Sequence, residues 1–486
     1  MSNRDGLLRL LKRCGSRVLW VVVVVFLTIV VGRALESRRL PDLEAWHRLV
    51  PADEVKAADV SADFTLADYL AREDRVFADV GKLVASTSAA RSPSVPNRYV
   101  AGSVSSPARQ AFDGNRTFER IPAQIRGGAL LIHGLTDAPY SLHAAADLLA
   151  SEGVYALALR MPGHGTVPGG LTAAVWEDWS AAVRMGMRHV RQRAGATAPI
   201  YLIGYSNGGA LAVKYALDAL QAPDLPRPSK IVLLSPMIGV SPFARFAWMM
   251  SLLGWLPYFE QSRWLDVLPE YLPFKYTSFP VNAARQTYRL TTALSEALDE
   301  ATVAGRIREL PPILTFQSLV DTTVSTDAVV HELYDRLDRD GSELVLFDVN
   351  RQSRVASFFR NDAAGRVPAL PRPYRLTVIT NASSDTLDVV ERSSPPGSGD
   401  TAVRALGLAW PPMVFSLTHI ALPFQVTDPV FGLGTGSDNP PGLRLGALEP
   451  RGERQLLLVP VESFMRLSYN PFYPYLEARL RDWVAP

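Results

Sequence analysis

From about residue 127 to residue 349, short apolar runs alternate with longer stretches in which apolar residues recur every three or four positions. The apolar runs predict strands, and the stretches between them predict helices. The predicted strands are Ala129–His133, Tyr155–Arg160, Ile200–Tyr205, Ile231–Ser235, Ile313–Gln317 and Glu343–Val349, and the predicted helices are Tyr140–Ser151, Val175–Arg193, Gly208–Leu220 and Asp327–Leu337. Strands that are almost continuously apolar and are connected by helices predict an α/β fold with a mostly parallel sheet covered on both faces.

Two stretches interrupt this alternation. The first, about 237–310, predicts an aromatic-rich helical lid, although the same aromatic residues would also suffice for a core of the insertion itself: Phe243, Phe246, Trp248, Trp255, Tyr258, Phe259, Trp264, Tyr271, Phe274, Tyr276 and Phe279. Its apolar segment Phe243–Leu256 is interpreted either as a buried helix or as a helix at a membrane interface. The second stretch, about 350–410, contains one more predicted strand, Arg375–Thr380, which would extend the sheet.

The N-terminus carries a targeting signal. Basic residues between positions 9 and 17 precede an apolar run, Val18–Val31. This pattern predicts a cytoplasmic basic tail over residues 1–17 and a transmembrane signal anchor over residues 18–34. A cleaved signal peptide is the alternative, because the run also has the length of a signal-peptide core. Both interpretations export the rest of the chain, in which residues 35–95 predict a helical and linker segment and residues 96–486 the main domain.

Composition narrows the possible functions. The 486 residues are 48% hydrophobic and 20% charged, which is typical of a globular protein with a sizeable core. The formal net charge of +2 gives no basic footprint for nucleic acid, so no nucleic-acid partner is expected. A single cysteine, Cys14, excludes an internal disulfide and a cysteine-based zinc site, and the histidines form no closely spaced pair. We therefore expect no metal and no cofactor.

The strongest chemical motif is Gly204-Tyr205-Ser206-Asn207-Gly208, which stands between a predicted strand and a predicted helix. A serine at such a sharp turn needs small neighbours, because its backbone is strained and the strand and helix approach each other closely. The turn exposes the hydroxyl at the end of the sheet, where an adjacent base can activate it. The motif predicts Ser206 as a catalytic nucleophile.

A serine nucleophile requires hydrogen-bond donors for the oxyanion that forms when it attacks a carbonyl group, and each donor contributes about 3–4 kcal/mol. One predicted donor is the backbone N–H of Asn207, the residue after the nucleophile. The other is the backbone N–H of Leu135, in the loop that follows the strand Ala129–His133. His133, at the start of that loop, is interpreted as a structural residue.

The acid and the base of such a site follow the serine in the chain. Asp321 comes just after a predicted strand, on the side of a parallel sheet where sites are found, although an aspartate there could also cap the next helix. His331 and His419 are the histidines downstream of Asp321. His331 falls inside a predicted helix, whereas His419 lies in a loop from which it could reach the serine. We therefore predict His419 as the base and Asp321 as its partner.

Together, these motifs resemble the α/β-hydrolase superfamily, and most closely its bacterial lysophospholipase, monoacylglycerol-lipase and serine-aminopeptidase-like branch. The matching pieces are His133-Gly134, the run from Arg160 to Thr166, the Ser206 turn, the Asp321 turn and the run from Ser416 to His419. The resemblance implies an α/β-hydrolase domain over residues 96–486, with the lid at about 237–310 and the second insertion at about 350–410. The long insertion before His419 and the segment before residue 127 depart from minimal members of the family.

The motifs and the resemblance predict a serine hydrolase that cleaves carboxylic esters of an apolar or lipid-like substrate through an acyl-enzyme. An aminopeptidase or amidase is one alternative, for which Glu260, Asp266 and Glu270 in the lid would hold a substrate ammonium group. An acyltransferase and a non-enzymatic, membrane-tethered binding module are the others. We expect the chain to be anchored in the bacterial inner membrane with its catalytic domain on the periplasmic face, or to be secreted after signal cleavage.

Overall fold

The computed structural model describes residues 2–239, 254–337, 341–354, 356–359, 367–434, 444–448, 451 and 457–485. Part of the predicted lid lies outside these ranges, including Phe243, Phe246, Trp248 and most of the apolar segment Phe243–Leu256.

The described residues form a ten-stranded sheet. The strands are β1 Phe118–Arg120, β2 Gly127–Ile132, β3 Val154–Leu159, β4 Ile200–Tyr205, β5 Lys230–Leu234, β6 Trp264–Asp266, β7 Phe279–Pro280, β8 Ile313–Ser318, β9 Glu343–Phe347, β10 Arg375–Asn381, β11 Asp388–Ser394 and β12 Ala402–Ala409. The order in the main sheet is β1-β3-β2-β4-β5-β8-β9-β10-β11-β12, and β6 pairs with β7 separately. The strands from β3 to β10 in this order run parallel, whereas β1, β11 and β12 pair antiparallel with their neighbours.

Helices cover both faces of the sheet. The α-helices of the described residues are α1 Ser2–Ser37, α2 Ala45–Arg48, α3 Leu66–Ala90, α4 His143–Ser151, α5 Trp176–Ala194, α6 Asn207–Gln221, α7 Val281–Val303, α8 Thr326–Ala328, α9 Val461–Met465 and α10 Tyr473–Val484. Along β2, Leu130 and Ile132 belong to the core shared with α5, α6 and α7, whereas Ala129 and Leu131 belong to the core shared with α4 and α10. Because both sides of each central strand are buried, these strands are mostly apolar. The predicted α/β sheet, covered on both faces, is confirmed.

The helix predicted over Asp327–Leu337 differs in the structure. Only α8 is α-helical, and it is followed by a π-helical turn, Val329–Leu333, and a 3₁₀ turn, Tyr334–Arg336. Two consecutive valines at positions 329 and 330 favour an α-helix poorly, because β-branched side chains lose rotamer freedom in it. The hydroxyl of Ser325 caps this segment by accepting a hydrogen bond from the Ala328 N–H at 3.0 Å.

The second insertion extends the sheet. The predicted strand Arg375–Thr380 corresponds to β10, which pairs parallel with β9, and β11 and β12 continue the sheet antiparallel. The backbone N–H of Asn350 then donates to the carbonyl of Phe415 at 2.8 Å, so the chain returns to the place from which it left. Because the two ends of the insertion are adjacent, the strands on the other side of β9 keep their arrangement.

The segment before β2 packs onto the sheet domain. Arg160, which follows β3, is almost fully buried and is paired with Glu54 at 2.9 Å and with Glu73 of α3 at 3.1 Å. Thr117 donates to Glu73 at 2.8 Å, and the Tyr69 hydroxyl donates to the carbonyl of Arg160. The N-terminal segment therefore supplies the acidic partners of a buried cation in the sheet domain.

Near the N-terminus, residues Ser16–Ser37 of α1 form a helix long and apolar enough to cross a membrane, with a mean hydropathy of 2.6. The C-terminal part of α1 contacts the segment Pro257–Arg263 of the first insertion. Just beyond the helix, the guanidinium of Arg38 lies 3.7 Å from the centre of the Tyr258 ring. The helix thus ends against the same insertion that was predicted as a lid.

Candidate active site

Ser206 lies in the sharp turn between β4 and α6, with φ 55° and ψ −118°. This left-handed conformation is strained for a residue with a side chain. A Cβ atom at Gly208 would lie 2.0 Å from the carbonyl oxygen of Ile132, and one at Gly204 would lie 2.4 Å from the carbonyl oxygen of Gly208. The Ser206 N–H donates to the carbonyl of Leu234 at 2.9 Å. The two glycines are therefore required by close backbone contacts, as the motif predicted.

His419 and Asp321 are in contact. The Nδ1 atom of His419 is 3.0 Å from Oδ2 of Asp321, and both side chains are buried. The other carboxylate oxygen accepts backbone N–H groups from Thr323 at 2.8 Å and Val324 at 3.1 Å. Burial alone would raise the pKa of Asp321, but the hydrogen bonds from His419 and from these N–H groups lower it overall. Burial lowers the pKa of His419, against the opposing effect of Asp321.

Contacts from the sheet hold the loop that carries His419. The ring of Tyr205, next to Ser206 in the chain, lies 5.2 Å from the His419 ring, centre to centre. Ser318, at the end of β8, donates to the carbonyl of Leu417 at 2.7 Å. The side chain of Asn350 donates to the carbonyl of Val414 at 2.8 Å, beside the backbone bond between Asn350 and Phe415. The insertion before His419 therefore does not displace the histidine from the ends of the strands.

Ser206 and His419 line one cavity of about 340 Å³, together with Leu135. Asn207 is the first residue of α6, so its backbone N–H has no partner within that helix. Within the part of the chain that the structure describes, no hydrogen-bond acceptor is assigned to the backbone N–H of Leu135 either. The five residues that the sequence singled out are thus gathered around the Ser206 turn, and two backbone donors remain there for a ligand.

Three other histidines stand apart from this arrangement. The Nδ1 atom of His133 is 2.8 Å from the carbonyl oxygen of Gly134, and its Nε2 accepts the backbone N–H of Met161 at 3.0 Å. Burial lowers the pKa of His133 to about 4, so the ring is neutral and holds the loop. His164 lies against the carbonyl of Pro162 at 3.1 Å, and His331 is exposed and paired with Asp335.

Two cationic residues near Ser206 were not predicted from the sequence. Lys275 and Arg466 both line the cavity of Ser206. Burial lowers the pKa of Lys275, against the opposing effect of Asp137, and burial raises the pKa of Asp137 to about 6. Lys275 is a lone lysine in an aromatic stretch, and Arg466 lies far along the chain from any motif, so no pattern in the sequence pointed to them.

The acidic residues considered for an ammonium-binding site are elsewhere. Glu260 pairs with Arg48 at 3.1 Å, and Glu270 is buried and accepts the backbone N–H groups of Ser278 at 2.9 Å and Thr277 at 3.1 Å. Asp266 is exposed at the end of β6. None of the three lines the Ser206 cavity. Among the described residues, no cluster of three His, Cys, Asp or Glu side chains could hold a metal ion.

Known proteins resemble part of this chain. A curated relative, a thermostable monoacylglycerol lipase from Bacillus sp. (strain H-257), is 34% identical over 89 residues, which are 18% of this chain and 34% of the relative. The chain therefore spans about a third of the length of that relative. One similar solved structure is from a study of the metagenome-derived lipolytic enzymes LipS and LipT, with 22% identity, a TM-score of 0.39, and coverage of 49% of this chain and 90% of that one.

A second similar structure is a soluble variant of monoglyceride lipase from Saccharomyces cerevisiae in complex with a substrate analogue. It shares 15% identity and a TM-score of 0.36, and the match covers 47% of this chain and 81% of that one. Residues 123–350 match the family described as serine aminopeptidase, S33. This range contains β2 to β9, the glycine-flanked Ser206 turn and the Asp321 turn. The match covers just under half of this chain, and the sheet that these residues form has the α/β-hydrolase fold, in agreement with the resemblance drawn from the sequence.

Proposed function

We propose that this protein is a serine hydrolase that cleaves carboxylic ester bonds of an apolar or lipid-like substrate through an acyl-enzyme. The observation that carries the proposal is the cavity shared by Ser206 and His419, with Asp321 bound to the far nitrogen of the imidazole ring. Because Asp321 occupies Nδ1, the Nε2 atom of His419 is the nitrogen that exchanges protons with the serine and the substrate.

In the first half of the reaction, His419 takes the proton of Ser206 as the hydroxyl oxygen attacks the ester carbonyl. The backbone N–H groups of Leu135 and Asn207 stabilise the tetrahedral oxyanion. As this intermediate collapses, the ester C–O bond breaks and the imidazolium gives its proton to the departing alcohol. Water, activated by His419, then attacks the acyl-enzyme and releases the carboxylic acid and the free serine hydroxyl.

An apolar substrate is supported by the second cavity at the site. A space of about 750 Å³ adjoins His419 and is lined largely by apolar side chains, including Met413, Phe415 and Leu467. Such a space can hold a hydrocarbon chain without unpaired polar groups. The curated relative is a monoacylglycerol lipase, which agrees with an ester that carries an acyl chain.

An ester is favoured over an aminoacyl substrate by the charges at the site. An aminopeptidase needs a carboxylate to receive the substrate ammonium, but Glu260, Asp266 and Glu270 do not line the cavity, whereas Lys275 and Arg466 do. Like charges brought together in a partly buried site repel each other. We place transfer of the acyl group to an alcohol, and a silent binding role, behind hydrolysis.

We further propose that α1 is an uncleaved signal anchor that holds the catalytic domain on the exported side of the membrane. Its length and hydropathy support this assignment. The N-terminal peptide of the protein isolated from membranes should begin at residue 1 or 2. A start after residue 34 would show signal cleavage instead.

The test of the hydrolase is Ser206→Ala, assayed with p-nitrophenyl esters and with a fluorophosphonate probe. We expect kcat to fall by about 10⁴–10⁶-fold and labelling to disappear, because a serine nucleophile acts as a unit with its histidine. Ser235→Ala is the matched control, since Ser235 is also a buried serine in a left-handed conformation, yet it does not line the cavity. Retained hydrolysis in Ser206→Ala, or a folded wild type that neither turns over esters nor reacts with the probe, would refute the proposal.

A further inference from the structure

Three cavities meet at Arg466. It lines the cavity of Ser206, the apolar cavity of about 750 Å³ and a third cavity of about 220 Å³. Lys275 lines the first and the third of these. Arg466 and His419 are the described residues that line both the Ser206 cavity and the apolar cavity, so a substrate with its ester at Ser206 and its chain in the apolar cavity would lie beside Arg466.

Neither cation forms a direct ion pair within the described part of the chain, although Asp137 is close enough to Lys275 to oppose the lowering of the pKa of that lysine by burial. Arg466 donates to the Thr323 hydroxyl at 3.0 Å, and no carboxylate among the described residues forms an ion pair with it or with Lys275. Both side chains are partly buried. Partly buried charges without a partner lose hydration that nothing in the protein replaces.

The acidic groups near these cations are already engaged or remote from the ester position. Asp321 is bound to His419 and two backbone N–H groups, and Asp137 accepts the backbone N–H of Ala138 at 2.9 Å. Glu462 is exposed and lines only the apolar cavity. The space beside Ser206 is therefore lined by two cationic side chains and no directly paired carboxylate of theirs, and an anionic group of a substrate would complement them.

We propose that Arg466 and Lys275 bind an anionic group, a phosphate or a carboxylate, on the ester substrate. The substrate class is then an anionic amphiphile, with its hydrocarbon chain in the 750 Å³ cavity and its negative group beside Ser206. An arginine presents paired N–H donors that fit both carboxylate and phosphate oxygens. This assignment rests on the proposed esterase function, and it makes the two cations specificity-determining residues.

The test compares three esters that share one acyl chain: 1-decanoylglycerol, 1-decanoylglycerol 3-phosphate and 3-(decanoyloxy)propanoate. We expect the wild type to prefer one or both anionic esters, and the two anionic arms to show whether phosphate or carboxylate is selected. In Arg466→Gln, kcat/KM for the preferred anionic ester should fall by about 10–100-fold, the usual size for a charge-assisted hydrogen bond. The value for 1-decanoylglycerol should change by no more than about 3-fold, within the range of a lost neutral contact.

Lys275→Gln should show the same selective loss, and Arg466→Lys should restore part of the preference because it restores the charge. Arg263→Gln is the matched control, since Arg263 is exposed on the same insertion as Lys275 and lines none of the three cavities. An equal loss for neutral and anionic esters in both variants, or no anionic preference in the wild type, would overturn the proposal.

A ligand-binding experiment can distinguish the proposed anion site from the proposed hydrolase function. Decyl phosphate, which has no ester to cleave, should bind the Ser206→Ala protein in calorimetry and should bind more weakly in Ser206→Ala/Arg466→Gln and at higher ionic strength. Such binding without ester turnover by the wild type would refute only the hydrolase. Ester turnover with decyl phosphate binding that is unchanged by Arg466→Gln would refute only the anion site.

Discussion

The residues matched by the family and the residues after them build the site in different ways. Within 123–350, the nucleophile and the acid stand in turns directly after β4 and β8, and the groups that shape the serine turn are its own neighbours, Gly204 and Gly208. After residue 350, His419 and Arg466 reach the site by contacts across 98 and 143 positions of the chain. The matched part thus places the proposed nucleophile and acid by local structure, whereas the later part brings the proposed base and the proposed specificity residue Arg466 to the site through long-range contacts.

The largest effect, on kcat, is expected for His419, the proposed catalytic base, which lies after residue 350. His419→Ala should lower kcat by about 10⁴–10⁶-fold while the fold is kept, because removal of the base leaves only the oxyanion donors and substrate binding. The measurement is steady-state hydrolysis of a p-nitrophenyl ester, with thermal unfolding to confirm the fold.

The matched control is His331→Ala, which removes the other histidine downstream of Asp321, an exposed residue paired with Asp335. We expect kcat within about 2-fold of the wild type for this surface change. A larger loss in His331→Ala than in His419→Ala would show that the matched part carries its own base.

A smaller effect, on the free energy of unfolding, is expected at the contact between the N-terminal segment, which precedes residue 123, and the sheet domain. Glu73→Ala should lower the free energy of unfolding by about 3–5 kcal/mol, because it removes one partner of the buried Arg160. The control is Asp74→Ala, at the next position. The Asp74 side chain is 74% exposed and pairs with Arg116, so its removal should lower the free energy of unfolding by less than about 1 kcal/mol. Chemical denaturation measures both, and equal costs would mean that the N-terminal segment contributes no buried charge network to the fold.

The smallest expected effect is a shift in the pH dependence of kcat/KM. His419 must be neutral to accept the serine proton, so kcat/KM should fall as pH drops through its pKa. Burial lowers that pKa, so the midpoint of the acid limb should lie below 6.5. Lys275 also lowers it, and Lys275→Gln should therefore move the limb to higher pH for a neutral ester. A limb above pH 6.5 in the wild type, or one that moves down in Lys275→Gln, would contradict the charges described around His419.

The central strands β2, β3, β4, β5, β8 and β9 were predictable because they are almost entirely buried and are therefore mostly apolar. The Ser206 turn was predictable because backbone contacts at Gly204 and Gly208 exclude any side chain. By contrast, β11 and β12 have many exposed positions and lack that signal. Lys275 and Arg466 were not predicted because, in the sequence, a charged residue that lines a cavity cannot be distinguished from a charged residue on the solvent-exposed surface. The roles of Ser206, Asp321, His419, Leu135 and Asn207 remain predictions, supported by their proximity.

The contact between α1 and the segment Pro257–Arg263 has a consequence for how substrate arrives. The insertion that touches α1 also lines the Ser206 cavity through Lys275 and Phe279. With α1 in the bilayer as the proposed anchor, the cavity is held at the surface of one leaflet, so the domain does not tumble freely above it. Amphiphilic esters would then be captured by lateral diffusion in two dimensions, and turnover would follow their mole fraction in the leaflet more closely than their concentration in bulk water.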